Sequence, residues 1–363
     1  MWAVMQSAVG PWVMRPWIRS DRSRRLGMSG MVGRFGRSGD VRHGDVSRTG
    51  FGRGCYTRTR CSEKYLNICS MSTTQITRQA FARTDDGAQL FFRVLGQGEP
   101  ALVCNNGLGV STFFWEYLAR HFAPERAVVL WDYRGHGRSS VLEPGDPLDV
   151  GLCARDLGTV MEAAGIKKAV LLGHSMGCQV ALERYRQAPE SIAGIVSILG
   201  TYGHPLDTFS DLPFSRQLFD VIIQLSESFP RTFDTTSKLL VSAPFSFEAG
   251  RLLKWVDGSR IAKHDLMQYM RHLVDIGFPR FFALAREMGE HTAADLLSEV
   301  RVPMLVVAGE FDAFTPAHLS EEMVQRIPDA QLVWLEGASH AGIVEQPEQI
   351  NQSLAEFLER IES

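Results

Sequence analysis

Short runs rich in apolar residues alternate with segments of helical spacing from about residue 80 to the end of the chain. The apolar runs predict strands over Ala88–Leu95, Pro100–Cys104, Ala127–Trp131, Ala169–Leu172, Ile192–Leu199, Met304–Ala308 and Gln331–Leu335. Helical spacing predicts helices over Phe113–Phe122, Val150–Ala164, Met176–Gln187, Ala317–Arg326 and Gln349–Ile361. Buried strands separated by helices are typical of a mostly parallel sheet with helices on both faces. The pattern therefore predicts an α/β fold.

Residues 205–290 interrupt this alternation, because they contain helical patterns and no clear strand. The predicted helices are Ser215–Leu225, Phe247–Val256, Ala262–Ile276 and Arg280–Met288. Ligands bind at the carboxyl edge of open α/β sheets, so we expect this insertion to be a lid over that edge. Its many aromatic side chains favour a largely apolar pocket, which suits an acyl or aromatic group better than a sugar or a nucleotide. These side chains are Phe209, Phe214, Phe219, Phe229, Phe233, Phe245, Phe247, Trp255, Phe278, Phe281 and Phe282.

Residues 1–79 differ in composition from the rest. Of the 38 Lys and Arg residues in the chain, 13 lie in residues 1–70, against 4 of the 41 Asp and Glu residues. We interpret residues 1–79 as a disordered basic extension, since they show no sustained period. Three alternatives stay open: a natural start at Met71, an organellar transit peptide and a functional basic arm. We expect a cytoplasmic protein, or an organellar one if the extension is a transit peptide.

The remainder of the chain is acidic, which argues against nucleic-acid binding through its surface. No run of about 20 apolar residues is present in the sequence, so we expect no membrane span. The six cysteines form no C-x-x-C pair, and no His cluster accompanies them, so we expect free thiols and no metal site. No glycine-rich dinucleotide or ATP loop is present in the sequence either, and we expect no cofactor.

Three separated segments carry candidate chemistry. The pentapeptide Gly173–Gly177 reads G-x-S-x-G between a predicted strand and a predicted helix, which is the context of a nucleophile elbow. Its glycines allow the sharp turn that presents the Ser175 hydroxyl above the sheet. Asp312 follows the strand Met304–Ala308, and His340 follows the last predicted strand. Taken alone, Asp312 also suits a helix cap or a turn, and an isolated loop histidine is usually a surface residue.

The order Ser175, Asp312, His340, with each residue just past a strand, predicts a catalytic triad. In such a triad, His340 takes the proton of the Ser175 hydroxyl and later returns it to the leaving group. Asp312 holds the imidazole in the tautomer that this transfer needs.

These motifs, with Asn106–Gly109 and Asp132–Ser139, resemble those of the α/β-hydrolase family in its small capped branch, over residues 80 to 363. The resemblance implies a mostly parallel eight-stranded sheet with helices on both faces and a helical cap. The hydrolase core would comprise residues 80–204 and 291–363, with the cap at 205–290. Asp132 resembles part of a turn that supports the fold.

The resemblance also implies that the backbone N–H groups of Leu108 and Met176 form the oxyanion hole. Relatives usually carry His-Gly where this chain has Asn106 and Gly107, which we expect to contact the substrate. The neighbour His174 and the small residue Cys178 are expected to serve in packing.

The sequence thus predicts a soluble, cofactor-free serine hydrolase. Its expected partner is a small-molecule carboxylic ester with an apolar acyl or aromatic group, cleaved through an acyl-enzyme. A lactonase, a C–C bond hydrolase and a perhydrolase would use the same triad and stay open as alternatives. So does a hydrolase-fold ligand receptor, in which a slow triad serves binding, whereas a structural pseudoenzyme would normally have lost one of the three residues. The oligomeric state stays open.

Overall fold

The strands of the protein form one sheet of eight strands. The computed structural model describes residues 76–141, 148–243, 246, 248 and 259–363. The strands are β1 (Ile76–Arg83), β2 (Gln89–Leu95), β3 (Ala101–Asn105), β4 (Val128–Trp131), β5 (Ala169–His174), β6 (Ile192–Ile198), β7 (Met304–Gly309) and β8 (Ala330–Leu335). Their spatial order is β1-β2-β4-β3-β5-β6-β7-β8. The β1–β2 and β2–β4 pairs are antiparallel and all other neighbours are parallel, which confirms the predicted sheet.

Helices cover both faces of this sheet. In the described part of the chain they are α1 (Glu116–Phe122), α2 (Val150–Ala164), α3 (Met176–Gln187), α4 (Pro205–Thr208), α5 (Ser215–Ser228), α6 (Pro230–Val241), α7 (Lys263–Ile276), α8 (Phe278–Glu290), α9 (Ala317–Arg326), α10 (Gly342–Glu345) and α11 (Pro347–Glu362). Every residue of β3, β4, β5 and β7 is buried, because apolar side chains on both faces pack under helices. Thus Leu102 and Val103, adjacent on β3, belong to two different apolar clusters, as the alternation of side chains along a strand requires.

The ends of the long helix α2 show how local sequence sets an element. The carboxylate of Asp149 accepts a hydrogen bond from the backbone N–H of Leu152 at 2.6 Å and caps the first turn. Gly165 adopts a left-handed conformation with φ of 79° just past the last turn, where a side chain would be strained. Both boundaries agree with the predicted helix over Val150–Ala164.

Four elements are absent from the sequence prediction: β1, α6, and the four-residue helices α4 and α10. Strand β1 begins at Ile76, so regular structure starts inside the stretch 1–79 that we interpret as an extension; the strand was missed because it lies at the sheet edge and carries polar residues. The sequence prediction omits helix α6, which buries no residue. The predicted helix Phe247–Val256 and residues 1–75 lie outside the described residues.

The helices α4 to α8 lie between β6 and β7 in the chain, and we call them the cap. Gln179 on α3 donates to the carbonyl of Met288 on α8 at 3.0 Å, and the hydroxyl of Tyr117 donates to Asp265 on α7 at 3.0 Å. These hydrogen bonds attach the cap to the helices that flank the sheet. Within the described residues, no helix has both the length and the apolar character that crossing a membrane requires.

Candidate active site

Ser175 occupies a sharp turn between β5 and α3. Its backbone has φ of 54° and ψ of −119°, a region that residues with side chains rarely adopt. The two flanking glycines make this turn possible. A Cβ on Gly173 would overlap the carbonyl of Gly177, and a Cβ on Gly177 would overlap the carbonyls of Asn105 and Asn106. The motif therefore places the hydroxyl of Ser175 at the carboxyl edge of the sheet.

His340 brings the three predicted residues together. Its Nε2 lies 3.0 Å from the Oγ of Ser175, and its Nδ1 lies 2.9 Å from each carboxylate oxygen of Asp312. A carboxylate only accepts hydrogen bonds, so Nδ1 carries the proton and Nε2 is left to accept one from the serine hydroxyl. This is the tautomer that general-base action on Ser175 requires.

The carboxylate of Asp312 has no exposed surface and is held by the loop that follows β7. The backbone N–H groups of Phe314 and Thr315 donate to its Oδ1 at 2.9 Å each. The hydroxyl of Thr315 lies 2.7 Å from Oδ2 and 2.9 Å from the carbonyl oxygen of Leu199. A buried charge needs such donors, and these donors also fix the direction in which the carboxylate faces His340.

The loop of His340 is tied down on both sides. The backbone N–H of Phe311 donates to the carbonyl of Ala338 at 2.9 Å, which joins this loop to the loop of Asp312. The buried carboxylate of Glu345 accepts from the backbone N–H of Ser339 at 3.0 Å and from its hydroxyl at 2.6 Å. The imidazole therefore stands on a backbone with little freedom to move.

The loop after β3 passes beside Ser175. A Cβ on Gly107 would lie 3.2 Å from the Cβ of Ser175 and 2.7 Å from the Nδ1 of His174, so only glycine fits there. The next backbone N–H, that of Leu108, donates to no residue that the structure describes. The N–H of Met176 is the first of α3 and has no acceptor within the helix. Both predicted oxyanion donors are thus available to a ligand.

Asn106 does not occupy the position that we predicted for a substrate contact. Its side chain is fully buried, its amide nitrogen donates to the carbonyl of Trp131 at 2.7 Å, and its amide oxygen accepts from the indole N–H of Trp115 at 2.9 Å. Both ends of the amide are therefore engaged within the protein. Asn106 supports the loop of Gly107 from below, and the prediction of a substrate contact by this side chain is corrected.

Comparison with known proteins identifies the family of this chain. A family model described as the alpha/beta hydrolase fold matches residues 100–347. The chain belongs to the α/β-hydrolase family. The Ser175 turn, which joins a parallel strand to a helix, and the chain order of Ser175, Asp312 and His340 are those expected of this family.

Two related proteins and one solved structure show how this chain resembles other α/β hydrolases. A protein named "Putative carbamate hydrolase RutD" from Azorhizobium caulinodans is 26% identical over 76% of this chain and 97% of its own length. A pimeloyl-[acyl-carrier protein] methyl ester esterase from Yersinia enterocolitica is 25% identical over 75% of this chain and 98% of its own. The structure of a thermophilic esterase from Thermogutta terrifontis superposes with a TM-score of 0.62 at 23% identity, covering 80% of this chain and 100% of the esterase. That likeness shows the fold alone.

His174 has a role in this hydrolase that sequence reasoning did not identify. Besides packing on the ring of Phe114, its Nε2–H donates to the backbone carbonyl of His340 at 3.1 Å. Burial, reinforced by the nearby His340 ring, lowers the pKa of His174 to about 3. The ring is therefore neutral at ordinary pH and holds the backbone of His340. No motif carries this signal, because the two residues are 166 positions apart.

Aromatic rings connect the cap of the hydrolase to His340. The ring of Phe314 lies 4.8 Å from the imidazole of His340, and Phe209 lies 5.0 Å from Phe314. Phe219 on α5 continues the row at 5.3 Å from Phe209. Phe209 and Phe219 belong to the aromatic set predicted for the insertion, whereas Phe314 was not singled out.

The remaining predicted positions support the fold. The guanidinium of Arg134 donates to both carboxylate oxygens of Asp156, at 2.7 and 2.8 Å. Asp132 accepts from the hydroxyl of Ser111 at 2.5 Å and from the backbone N–H of Arg138 at 3.0 Å, which fixes the turn after β4. Cys178 is a free, buried thiol whose pKa is raised to about 12 by burial, so it is not a nucleophile.

Proposed function

We propose that the protein is a serine hydrolase that cleaves carboxylic esters through an acyl-enzyme. The observation that carries this proposal is the continuous chain of hydrogen bonds from Ser175 through His340 to Asp312. The serine side of that chain lies beside a loop with a free N–H at Leu108 and a helix N-terminus at Met176. A nucleophile, its base and two anion donors at one point are what acyl transfer requires.

In the first half of the reaction, the Ser175 hydroxyl attacks the ester carbonyl while His340 Nε2 takes its proton. The oxygen of the tetrahedral intermediate becomes negative and accepts from the N–H groups of Leu108 and Met176. Asp312 stabilises the imidazolium that forms beside it. His340 then gives its proton to the departing alcohol, which leaves an acyl group on Ser175.

In the second half, His340 removes a proton from a water molecule that attacks the acyl-serine. The same two N–H groups hold the second tetrahedral intermediate. Collapse returns the proton to Ser175 and releases the carboxylic acid. No cofactor has a part in either half.

The apolar surroundings support an acyl or aromatic substrate group. The row of rings from Phe219 to Phe314 reaches His340 from the cap side, where a bound substrate would extend. We propose residues 205–290 as a cap domain over a core formed by 80–204 and 291–363. The substrate that fits this arrangement is a small-molecule ester.

A carbamate is the second candidate substrate class, since a relative that aligns over 97% of its own length is named "Putative carbamate hydrolase RutD". The same residues attack a carbamate carbonyl, but its nitrogen donates electrons to the carbonyl carbon and slows both acylation and deacylation. Lactones, β-diketones and peracid formation use the same acyl-enzyme logic and belong in the same substrate panel. A ligand receptor would stall after about one turnover.

The test replaces Ser175 with Ala and compares hydrolysis of p-nitrophenyl esters and carbamates of matched acyl size. We expect Ser175→Ala to lose at least about 1,000-fold in kcat on esters, because binding and the oxyanion hole alone leave only a small residual rate. Ser298→Ala, at an exposed position, is the matched control. A fluorophosphonate should add its mass to the wild type and not to Ser175→Ala.

Ester turnover near the wild-type rate in a folded Ser175→Ala variant contradicts the proposal. If carbamates turn over steadily while ester hydrolysis stops after a burst, the proposed substrate class changes from esters to carbamates. A burst of about one event with every substrate would favour the receptor.

A further inference from the structure

His272 on α7 bridges two loops of the core. Its Nδ1 lies 2.9 Å from the carbonyl oxygen of Gly109, and its Nε2 lies 3.0 Å from the backbone nitrogen of Gly137. Gly109 belongs to the loop after β3, and Gly137 belongs to the loop after β4. The imidazole is half-buried and packs beside the ring of Phe113 at 5.7 Å. One cap side chain thus contacts both loops at the carboxyl edge of the sheet.

The chemistry of the two partners sets the state of the ring. A backbone carbonyl only accepts, so Nδ1 of His272 donates its proton to Gly109. A backbone N–H only donates, so Nε2 is unprotonated and accepts from Gly137. The ring is the neutral Nδ1–H tautomer, and both of its hydrogen bonds go to main-chain atoms.

Gly109 is also held by packing. It has φ of +72°, and a Cβ there would lie 2.5 Å from a methyl carbon of Leu273 and 2.9 Å from the ring of Phe281. Leu273 is the neighbour of His272 on α7, and Phe281 lies on α8. The cap therefore presses against Gly109 with two apolar side chains and ties its carbonyl with His272.

Gly109 directly follows Leu108, whose N–H is the oxyanion donor of the proposed mechanism. That N–H lies in the peptide plane between Gly107 and Leu108, and holding Gly109 in place restricts the backbone dihedrals of Leu108 that orient this plane. A donor that moves by about 1 Å from the developing anion costs on the order of 100-fold in rate. Contacts of the cap with Gly109 therefore bear on the chemical step.

We propose that His272 is a positioning residue that makes the oxyanion hole depend on the docked cap. With the cap in place, its bond to Gly109 sets the loop that presents the Leu108 N–H. With the cap displaced, the loop loses this bond together with the contacts of Leu273 and Phe281. The inference rests on the proposed function, because an oxyanion donor matters only if an acyl carbonyl is attacked. If His272 only stabilised the cap, its substitution would change the melting temperature or KM and leave kcat unchanged.

The test uses three substitutions of His272 that remove its two hydrogen bonds separately or together. His272→Asn places an amide N–H near the position of Nδ1 and retains the bond to Gly109. His272→Gln places an amide oxygen near the position of Nε2 and retains the bond to Gly137. His272→Ala removes both. His264→Ala is the matched control, because His264 is on the same helix and its side chain is 73% exposed.

We expect kcat to be highest in the wild type, lower in His272→Asn, and lowest and about equal in His272→Gln and His272→Ala. The last two should lose about 10- to 100-fold, since the donor is displaced and not removed. KM should change by less than about threefold, because ground-state binding does not use the oxyanion donors. Affinity for a phenylboronic acid, which forms a tetrahedral adduct on the serine, should fall in parallel with kcat. His264→Ala should match the wild type.

Two results overturn the inference. The first is a wild-type kcat in folded His272→Gln and His272→Ala, with only the melting temperature or KM changed. The second is equal kcat in the Asn and Gln variants, which remains measurable if the Ala variant does not fold. Either result leaves the proposed function intact when Ser175→Ala is inactive. An active Ser175→Ala variant instead removes the proposed function, and this inference falls with it.

Discussion

Single residues at strand ends form the proposed catalytic site of this hydrolase. Ser175, Asp312 and His340 each follow a strand, and the ends of parallel strands meet at one edge of a sheet, so their positions after strands predict that they meet. In the structure, His340 Nε2 lies 3.0 Å from the Oγ of Ser175 and His340 Nδ1 lies 2.9 Å from Oδ1 of Asp312. The contacts of Asn106 were not predictable from the sequence, because only folding brings the carbonyl of Trp131 and the indole of Trp115 to its amide.

At the residue scale, we expect Asp312→Asn to fold and to lose most activity. The amide oxygen takes the place of Oδ1, which accepts from two backbone N–H groups, and the amide nitrogen takes the place of Oδ2. There it donates to the hydroxyl of Thr315, whose one proton is then given to the carbonyl of Leu199. The variant loses the charge that stabilises the imidazolium, and kcat should fall by about 1,000- to 10,000-fold.

Steady-state kinetics on a p-nitrophenyl ester and thermal unfolding measure both parts of this expectation. Asp329→Asn, which changes an exposed aspartate paired with Arg360, serves as the control. A folded Asp312→Asn variant with a kcat within tenfold of the wild type would show that the carboxylate is dispensable.

At the scale of elements, two positions require glycine for different physical reasons. Gly109 and Gly165 both have positive φ, of 72° and 79°. A Cβ on Gly165 meets nothing within 4 Å, whereas a Cβ on Gly109 meets Leu273 and Phe281 of the cap. The first glycine serves a helix end, and the second serves a close approach between two elements.

This difference predicts different outcomes for alanine at the two positions. Gly165→Ala should lower the free energy of unfolding by about 1–2 kcal/mol through backbone strain and leave kcat unchanged. Gly109→Ala carries the same strain and also pushes the cap from the loop, so kcat should fall at least about tenfold. Urea unfolding and ester kinetics on both variants measure this. Equal kcat in the two variants would mean that the contact of the cap with Gly109 has no effect on the reaction.

At the scale of the whole molecule, burial of neutral histidines links stability to pH. His136 is 3% exposed, and its Nδ1–H donates to the carbonyl of Arg134 at 3.0 Å. Burial lowers the pKa of His136 to about 4, against the opposing effect of its hydrogen bond to the carbonyl of Arg134. The unfolded chain has the ordinary pKa of about 6.5 and therefore binds a proton that the folded chain does not. This group's contribution to stability is full above about pH 6.5 and is lost as the pH falls towards 4.

His136→Asn tests this linkage, because its amide N–H retains the bond to Arg134 and does not titrate. Between about pH 6.5 and 4, the free energy of unfolding should fall more steeply in the wild type, by up to about 1.4 kcal/mol per pH unit. The stability difference between the two proteins should therefore shrink on acidification. Urea unfolding at about pH 7, 6 and 5 gives the two slopes. Parallel slopes would show that His136 is not the group that titrates.

Local pattern in the chain determined the apolar strands, the elbow at Ser175 and the order of Ser, Asp and His, because each depends on neighbours within a few positions. Tertiary structure decided what joins distant segments. His272 meets Gly109 across 163 positions, and His174 meets His340 across 166. Such contacts leave no pattern in the sequence, because in both pairs the acceptor is a backbone carbonyl, which every residue has. The sheet brings its loops to one edge, and the packing of the cap selects which side chains reach them.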